Sequence, residues 1–162
     1  MKIVGINGFG RIGRCFTRLA LLDPNIEVAL VNDLADVNTL AHLLKYDSIH
    51  GGLNLPFTIE GNSLHFSNGK KIHFINEKNP VDINWSAHNV AYVLESTGLF
   101  LTKENASKHL KPGVKRVILS APPADKDIKS IVLGVNEHEL NEDDLIISNA
   151  SCTTNNSAPM IK

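Results

Sequence analysis

Residues Lys2 to Ile6 form a short apolar run that leads directly into Asn7-Gly8-Phe9-Gly10-Arg11-Ile12-Gly13, the pattern G-x-G-x-x-G. This junction constrains the fold more than any other part of the chain. Glycines at that spacing suit a tight turn, a close approach of backbone to a bound anion, and close contact between the next helix and the preceding strand. The helix after the turn would aim unpaired N–H groups and the positive end of its dipole at that anion, which favours a phosphate. A glycine-rich turn alone could read the same way, so the surrounding residues decide.

They supply the context of a strand-turn-helix-strand unit. A second apolar run, Glu27 to Val31, ends in Asn32 and Asp33, and Asp33 lies 20 positions after Gly13. A carboxylate there can accept hydrogen bonds from the adenosine ribose hydroxyls and would repel a 2′-phosphate, which favours NAD over NADP. The other reading of Asp33 is an ordinary loop or capping carboxylate. Further runs occur at Val90–Leu94, Arg116–Leu119, Ile131–Leu133 and Leu145–Ile147. Several are apolar throughout, as strands buried on both faces of a parallel sheet require.

Helices are expected between them. Arg14–Leu22 carries a stripe of Cys15, Phe16, Leu19 and Leu22; Val37–Tyr46 follows Asp36 as N-cap and aligns Leu40, Leu43 and Leu44; Lys103 to about Leu110 follows Thr102 and stops at Lys111, Pro112 and Gly113. From Phe57 to Asn76 apolar and polar residues alternate, with turn signals at Gly61, Asn62, Asn68 and Gly69, which predicts a small antiparallel meander. The fold class expected is α/β: a doubly wound, mostly parallel sheet with a small antiparallel insertion. Residues 1–150 are expected to form a dinucleotide-binding domain, with a further helix opening over 151–162.

Composition narrows the partners. In 162 residues, 16 Lys and Arg stand against 17 Asp and Glu, and 43% of residues are hydrophobic. That suits one globular domain with a sizeable core and offers no basic cluster to neutralise nucleic-acid phosphates. No run approaches the length of a membrane span, and the first residues lack the apolar core of a signal peptide. Two cysteines do not make a disulfide framework, so a reducing, cytoplasmic setting is expected. No Cys/His spacing suggests a metal site, and the seven histidines are expected on the surface or in loops.

The last apolar run opens onto Ser148-Asn149-Ala150-Ser151-Cys152-Thr153-Thr154-Asn155. Small and hydroxyl residues after a buried strand make a strand-to-helix turn, with Ser151 as N-cap and Cys152 in the first turn. Free N–H groups and the helix dipole would favour a nucleophilic thiolate there. In an open α/β sheet this position shares the carboxyl rim with the glycine turn. Cys15, on the apolar stripe of the first helix, reads instead as a small hydrophobe. Pro159 is awkward, because a proline so far into a helix ends or kinks it.

Together, NGFGRIGR at 7–14, VND at 31–33, LLKYDSIHG at 43–51, ESTGLF at 95–100, SAP at 120–122, GVNE at 134–137 and SNASCTTN at 148–155 closely resemble the phosphorylating glyceraldehyde-3-phosphate dehydrogenases. The likeness covers the whole chain in order. It implies a Rossmann-type fold with NAD as cofactor, bound at Gly8, Gly10, Arg11, Ile12, Gly13, Asp33, Lys78, Thr97, Gly98 and Ser120. Lys78 stands where the family usually has arginine, which is harmless if the contact is made through backbone and removes any stacking on the adenine if it is not. Cys152 would be the catalytic nucleophile, with Ser151 and Thr153 beside it at the substrate or phosphate site.

The implied reaction begins with thiolate attack on the aldehyde carbon of glyceraldehyde 3-phosphate. After hydride transfer a thioester remains on Cys152, and inorganic phosphate releases the acyl phosphate. Family members run to about twice this length and carry their general-base histidine further along. The resemblance therefore implies the cofactor-binding portion of a homotetrameric glycolytic enzyme, inactive by itself. Two other readings stay open: a dehydrogenase of erythrose 4-phosphate, and a non-catalytic NAD-binding thiol module.

Overall fold

The computed structural model describes every residue from Met1 to Lys162. Strand β1 (Lys2–Asn7) passes through the glycine turn into α1 (Arg11–Leu22) and returns as β2 (Ile26–Asn32), parallel to β1. Next comes α2 (Val37–Lys45), where Asp36 Oδ1 accepts the N–H groups of Asn38 and Thr39 at 3.0 Å each. The ribbon β3 (Tyr46–Asp47) and β4 (Gly51–Gly52) leads to β5 (Phe57–Glu60), β6 (Ser63–Phe66) and β7 (Lys71–Ile75). The chain continues through β8 (Tyr92–Glu95), α3 (Lys103–Ser107), β9 (Arg116–Leu119), β10 (Lys129–Ser130), β11 (Ile146–Ser148) and α4 (Cys152–Ile161).

Nine strands make one sheet in the order β10-β11-β9-β8-β1-β2-β7-β6-β5. The expected meander is present: β5, β6 and β7 pair antiparallel, and β7 pairs parallel with β2, so the insertion widens the main sheet. Lys70 Nζ fastens it to the first helical unit by donating to the carbonyls of Ala20, Asp23 and Ile26. The chain leaves β1 toward β2 on one side and later builds β8 and β9 on the other. The carboxyl ends of β1 and β8 are therefore a topological switch point, where such sheets open a crevice.

Each face of the sheet has its own apolar cluster. Val4, Ile6, Val28, Leu40, Leu44 and Leu94 belong to the one beneath α1 and α2. Leu30, Trp85, Val93, Ala106, Val117 and Leu119 belong to the other. A Cβ on Gly5 would lie 2.4 Å from the Trp85 ring, so a glycine in the central strand makes room for the indole.

Several local expectations are corrected. The buried residues of α1 are Gly13, Thr17, Ala20 and Leu21, while Leu19 and Leu22 are exposed and Cys15 and Phe16 half-buried. The helix approaches the sheet through its small residues, which a search for apolar periodicity passes over. In α2, Leu40 and Leu44 are buried but Leu43 is exposed. The pairing expected at Ile131–Leu133 lies at Lys129–Ser130, because Val132 turns away to bond Asn136 Oδ1. Strand β8 runs to Glu95, and α3 stops at Ser107 and gives way to tighter i to i+3 bonds through Leu110. His109, expected on the surface or in a loop, lies in the turn after α3 and is fully buried there. Pro159 is accommodated inside α4, which ends at Ile161.

Candidate active site

The glycine turn is fixed from three directions. Phe9, between the first two glycines, is buried and meets Phe74 edge-on at 5.3 Å. Arg14 Nη1 donates to Phe9 O at 2.9 Å. The Phe9 N–H donates to Asp33 Oδ2 at 2.7 Å, so the carboxylate at the end of β2 is tied directly to the turn. Asp33 Oδ1 accepts the N–H of Ala35 at 3.0 Å, and each oxygen keeps a further acceptor site.

The three glycines have different surroundings. Gly8 has φ +91°, and a Cβ there would lie 2.7 Å from the Thr97 nitrogen; on Gly13 it would lie 2.5 Å from Gly8 O. Around Gly10 nothing lies within 4 Å. Gly10 is also the N-cap of α1 and supplies no side-chain acceptor, and the N–H groups of Arg11, Ile12 and Gly13 have none within the protein. Open space in front of free N–H donors at the start of a 12-residue helix fits a dinucleotide pyrophosphate. The Arg11 guanidinium lies 3.8 Å from Asp47. Asp47 is held below the usual carboxylate range, first by the N–H groups of His50 and Ile49 and then by Arg11.

A second group of residues completes the rim. Asn7, Asn32 and Glu95 end β1, β2 and β8, and all three are buried. Asn7 Nδ2 donates to Glu95 Oε2 at 2.7 Å, and Asn32 Nδ2 donates to Asn7 Oδ1 at 2.8 Å. Glu95 Oε1 receives both the N–H and the hydroxyl of Thr97, and Ser120 N–H bonds Glu95 O. The Asn32 side-chain amide also donates to Glu77 O and accepts the Glu77 N–H, which places Lys78 next to the end of β2. The Lys78 side chain makes no hydrogen bond. Sequence reading missed Asn7, Asn32 and Glu95. Their signal was a polar residue closing an otherwise apolar strand.

At the other end, β11 turns into α4 through Ala150, which has φ +58°. Ser148 Oγ accepts the Ala150 N–H at 2.9 Å and itself donates to Ala121 O. Ser151 caps α4 by accepting the Thr154 N–H at 2.9 Å, and its hydroxyl also meets that of Thr153. Cys152 is therefore the first helical residue. It is exposed and free, and neither its own N–H nor that of Thr153 has an acceptor.

A cleft of about 630 Å³ runs along the sheet and brings Ile12 from α1 together with Ser120, Ser151 and Cys152. Asp33, Lys78, Thr97 and Gly98 lie outside it, next to the ends of β2 and β8. None of the seven histidines lines it. A second cleft, about 750 Å³ between α2 and β5, contains none of these residues.

Comparison with known proteins agrees with this geometry. The family described as glyceraldehyde 3-phosphate dehydrogenase, NAD binding domain, matches residues 2–103. A glyceraldehyde-3-phosphate dehydrogenase of Geobacillus stearothermophilus is 53% identical over 160 residues, and that of Priestia megaterium 51% over 160. Glyceraldehyde-3-phosphate dehydrogenase 2 of Schizosaccharomyces pombe is 50% identical over 160. Each alignment covers 98% of this chain and 47% of the relative, so the chain spans about half the length of the curated relatives it matches.

Proposed function

The chain belongs to the glyceraldehyde 3-phosphate dehydrogenase family through its NAD-binding domain, and from that premise we propose that it holds NAD along the carboxyl ends of β1, β2 and β8 and presents Cys152 as the nucleophile for phosphorylating oxidation of glyceraldehyde 3-phosphate. One observation carries the reading: the exposed Cys152 lines the same cleft as Ile12, in the first turn of the helix whose N–H groups are free. Residues 1–150 act as the cofactor domain, and 151–162 begin the catalytic unit.

The residues divide the work by position. The N–H groups of Arg11, Ile12 and Gly13 receive the pyrophosphate in the space before Gly10. The free acceptor sites of Asp33 take the adenosine ribose hydroxyls, and Lys78 contributes main chain. Thr97, Gly98 and Ser120 border the nicotinamide side. Cys152 Sγ bonds the aldehyde carbon, while the N–H groups of Cys152 and Thr153 face the oxygen that gains charge. Bound NAD supplies the hydride acceptor. Cys152 keeps the acyl group as a thioester until inorganic phosphate, guided by the Ser151 and Thr153 hydroxyls, displaces it and restores the thiolate. The setting is cytoplasmic and the assembled enzyme a homotetramer.

Calorimetric titration of the 162-residue chain tests the cofactor assignment: NAD should bind, and NADP more weakly because Asp33 repels a 2′-phosphate. Equal affinities would overturn the role of Asp33. With glyceraldehyde 3-phosphate and phosphate added, essentially no turnover is expected, since no histidine lines the cleft to act as base. Iodoacetamide should modify the exposed Cys152 faster than the half-buried Cys15; equal rates would count against an activated nucleophile.

A further inference from the structure

Glu95 has no role in the proposed reaction, yet it is a fully buried carboxylate at the switch point of the sheet. Burying a charge is unfavourable unless it is well partnered. Here four donors surround it: Asn7 Nδ2 at 2.7 Å and His109 Nε2 at 2.9 Å on Oε2, and Thr97 N at 2.8 Å and Thr97 Oγ1 at 2.5 Å on Oε1. Four donors fill the acceptor sites of a carboxylate.

The direction of every bond in this group follows from its two ends. The Glu77 backbone N–H can only donate, and it points at Asn32 Oδ1 at 2.7 Å. The Asn32 amide nitrogen must then face Asn7 Oδ1, and the Asn7 amide nitrogen must face Glu95. At the other end the Trp85 indole N–H can also only donate, and it points at His109 Nδ1 at 3.3 Å. His109 therefore carries its proton on Nε2 and donates it to Glu95. Two chains of donors converge on one group, and both end on Glu95 Oε2.

We propose that Glu95 is the positioning residue of the strand-end rim, the common acceptor that sets the Glu77–Lys78 segment, the Asn32–Asp33 strand end, the glycine turn and the Thr97–Gly98 loop relative to one another. The inference rests on the reading that this rim holds NAD. It assigns preorganisation of the rim to a residue that need not touch the cofactor. His109 and Trp85 hold Glu95 from below, and Asn7 and Asn32 pass its position on to the turn and to Asp33.

Glu95→Gln tests this with little change of shape. An amide offers one acceptor atom and one donor group, so whichever way it turns, its NH₂ meets donors that cannot all reverse. NAD affinity should fall at least about tenfold, measured on the folded 162-residue chain by calorimetry, while Glu104→Gln, at an exposed position of α3, leaves it unchanged. A folded Glu95→Gln chain binding NAD within twofold of wild type would overturn the proposal. Two wild-type measurements need no variant. Nitrogen-15 NMR should find His109 protonated on Nε2 alone, and the Thr97 amide should resist hydrogen exchange as the β8 amides do. A ring protonated on Nδ1, or rapid Thr97 exchange, would equally overturn it. Should the wild-type chain fail to bind NAD, the functional reading fails, and those two measurements still decide the network.

Discussion

The end of the rim proposed to take the cofactor and the end proposed to carry the nucleophile are built differently. Asn7, Asn32, Glu95 and His109 are buried and bonded across strands, with the Asn7–Glu95 pair 88 residues apart in sequence. Around Cys152 most bonds span only a few residues: Ser151 to Thr154, Ser148 to Ala150, and Asn155 Nδ2 to Asn149 O. Helix α4 buries none of its residues. The contrast fits two tasks. A long ligand needs several segments preset at once, whereas a nucleophile needs one atom left accessible to substrate.

The largest expected effect comes from the cofactor end. Gly8→Ala combines a left-handed φ with contact against the Thr97 backbone and should destabilise the chain by about 4 kcal/mol in denaturant unfolding. Gly10→Ala, with nothing within 4 Å of its Cβ, should leave stability within about 1 kcal/mol while weakening NAD binding. Equal losses from the two would erase the distinction between a packing glycine and a ligand-facing one.

Next in size, His109→Ala takes one of four donors from the buried Glu95 carboxylate and the one partner from the Trp85 N–H, and empties the space of a buried ring, at a cost of about 3 kcal/mol. The urea midpoint should drop with no change in the alkylation rate of Cys152. A coupled change would mean that the two ends are not independent.

Ser151→Ala removes the cap of α4, worth about 1 kcal/mol to that helix. Because α4 buries no residue, the loss should appear as faster hydrogen exchange in α4 alone, with the unfolding midpoint of the rest nearly unmoved. A matching fall in the global midpoint would show α4 to be part of the cooperative core.

The smallest effects concern pH, and neither end of the rim contains the groups responsible. His73 is held below the usual histidine range, chiefly by burial and then by His88 stacked on it at 5.0 Å and by Lys71. Its folded state thus binds protons less readily than its unfolded state, so a small contribution is lost as pH falls through about 6.5 and below. Asp36, Asp127 and Asp144 are held low mainly by Thr39, Lys103 and Lys129 respectively. They stabilise the fold above the carboxylate range, and that contribution disappears as pH drops through and below it. Unfolding midpoints against pH should show a shallow decline and then a steeper one. His88→Asn should flatten the first.

The legible parts of this chain were those whose chemistry is local. Asp36, Thr102 and Ser151 each cap the helix they precede, and Gly61 and Gly69 turn the meander, because each effect is confined to a few neighbouring residues. The strand-to-helix junction at the glycine turn was legible for the same reason, whereas the bond that ties Asp33 to it spans 24 residues. The face of α1 was misread because its contacts are made by Gly13, Thr17 and Ala20, which carry little apolar surface, while Leu19 and Leu22 point outward. Glu95 and His109 could not be recognised as core, because a charged residue is buried only with partners, and the partners come from other strands.

The central place of β1 also governs the order of assembly. It pairs with β2 early in the chain and with β8 only after 85 or more residues have been made. Glu95 closes β8 and His109 follows 14 residues later, so the first helical unit and the meander can form before this carboxylate exists. Closing so long a loop slows the final step of folding. During synthesis the glycine turn is exposed before it is set, and the Glu95 network behind it is complete only when the chain has passed residue 109.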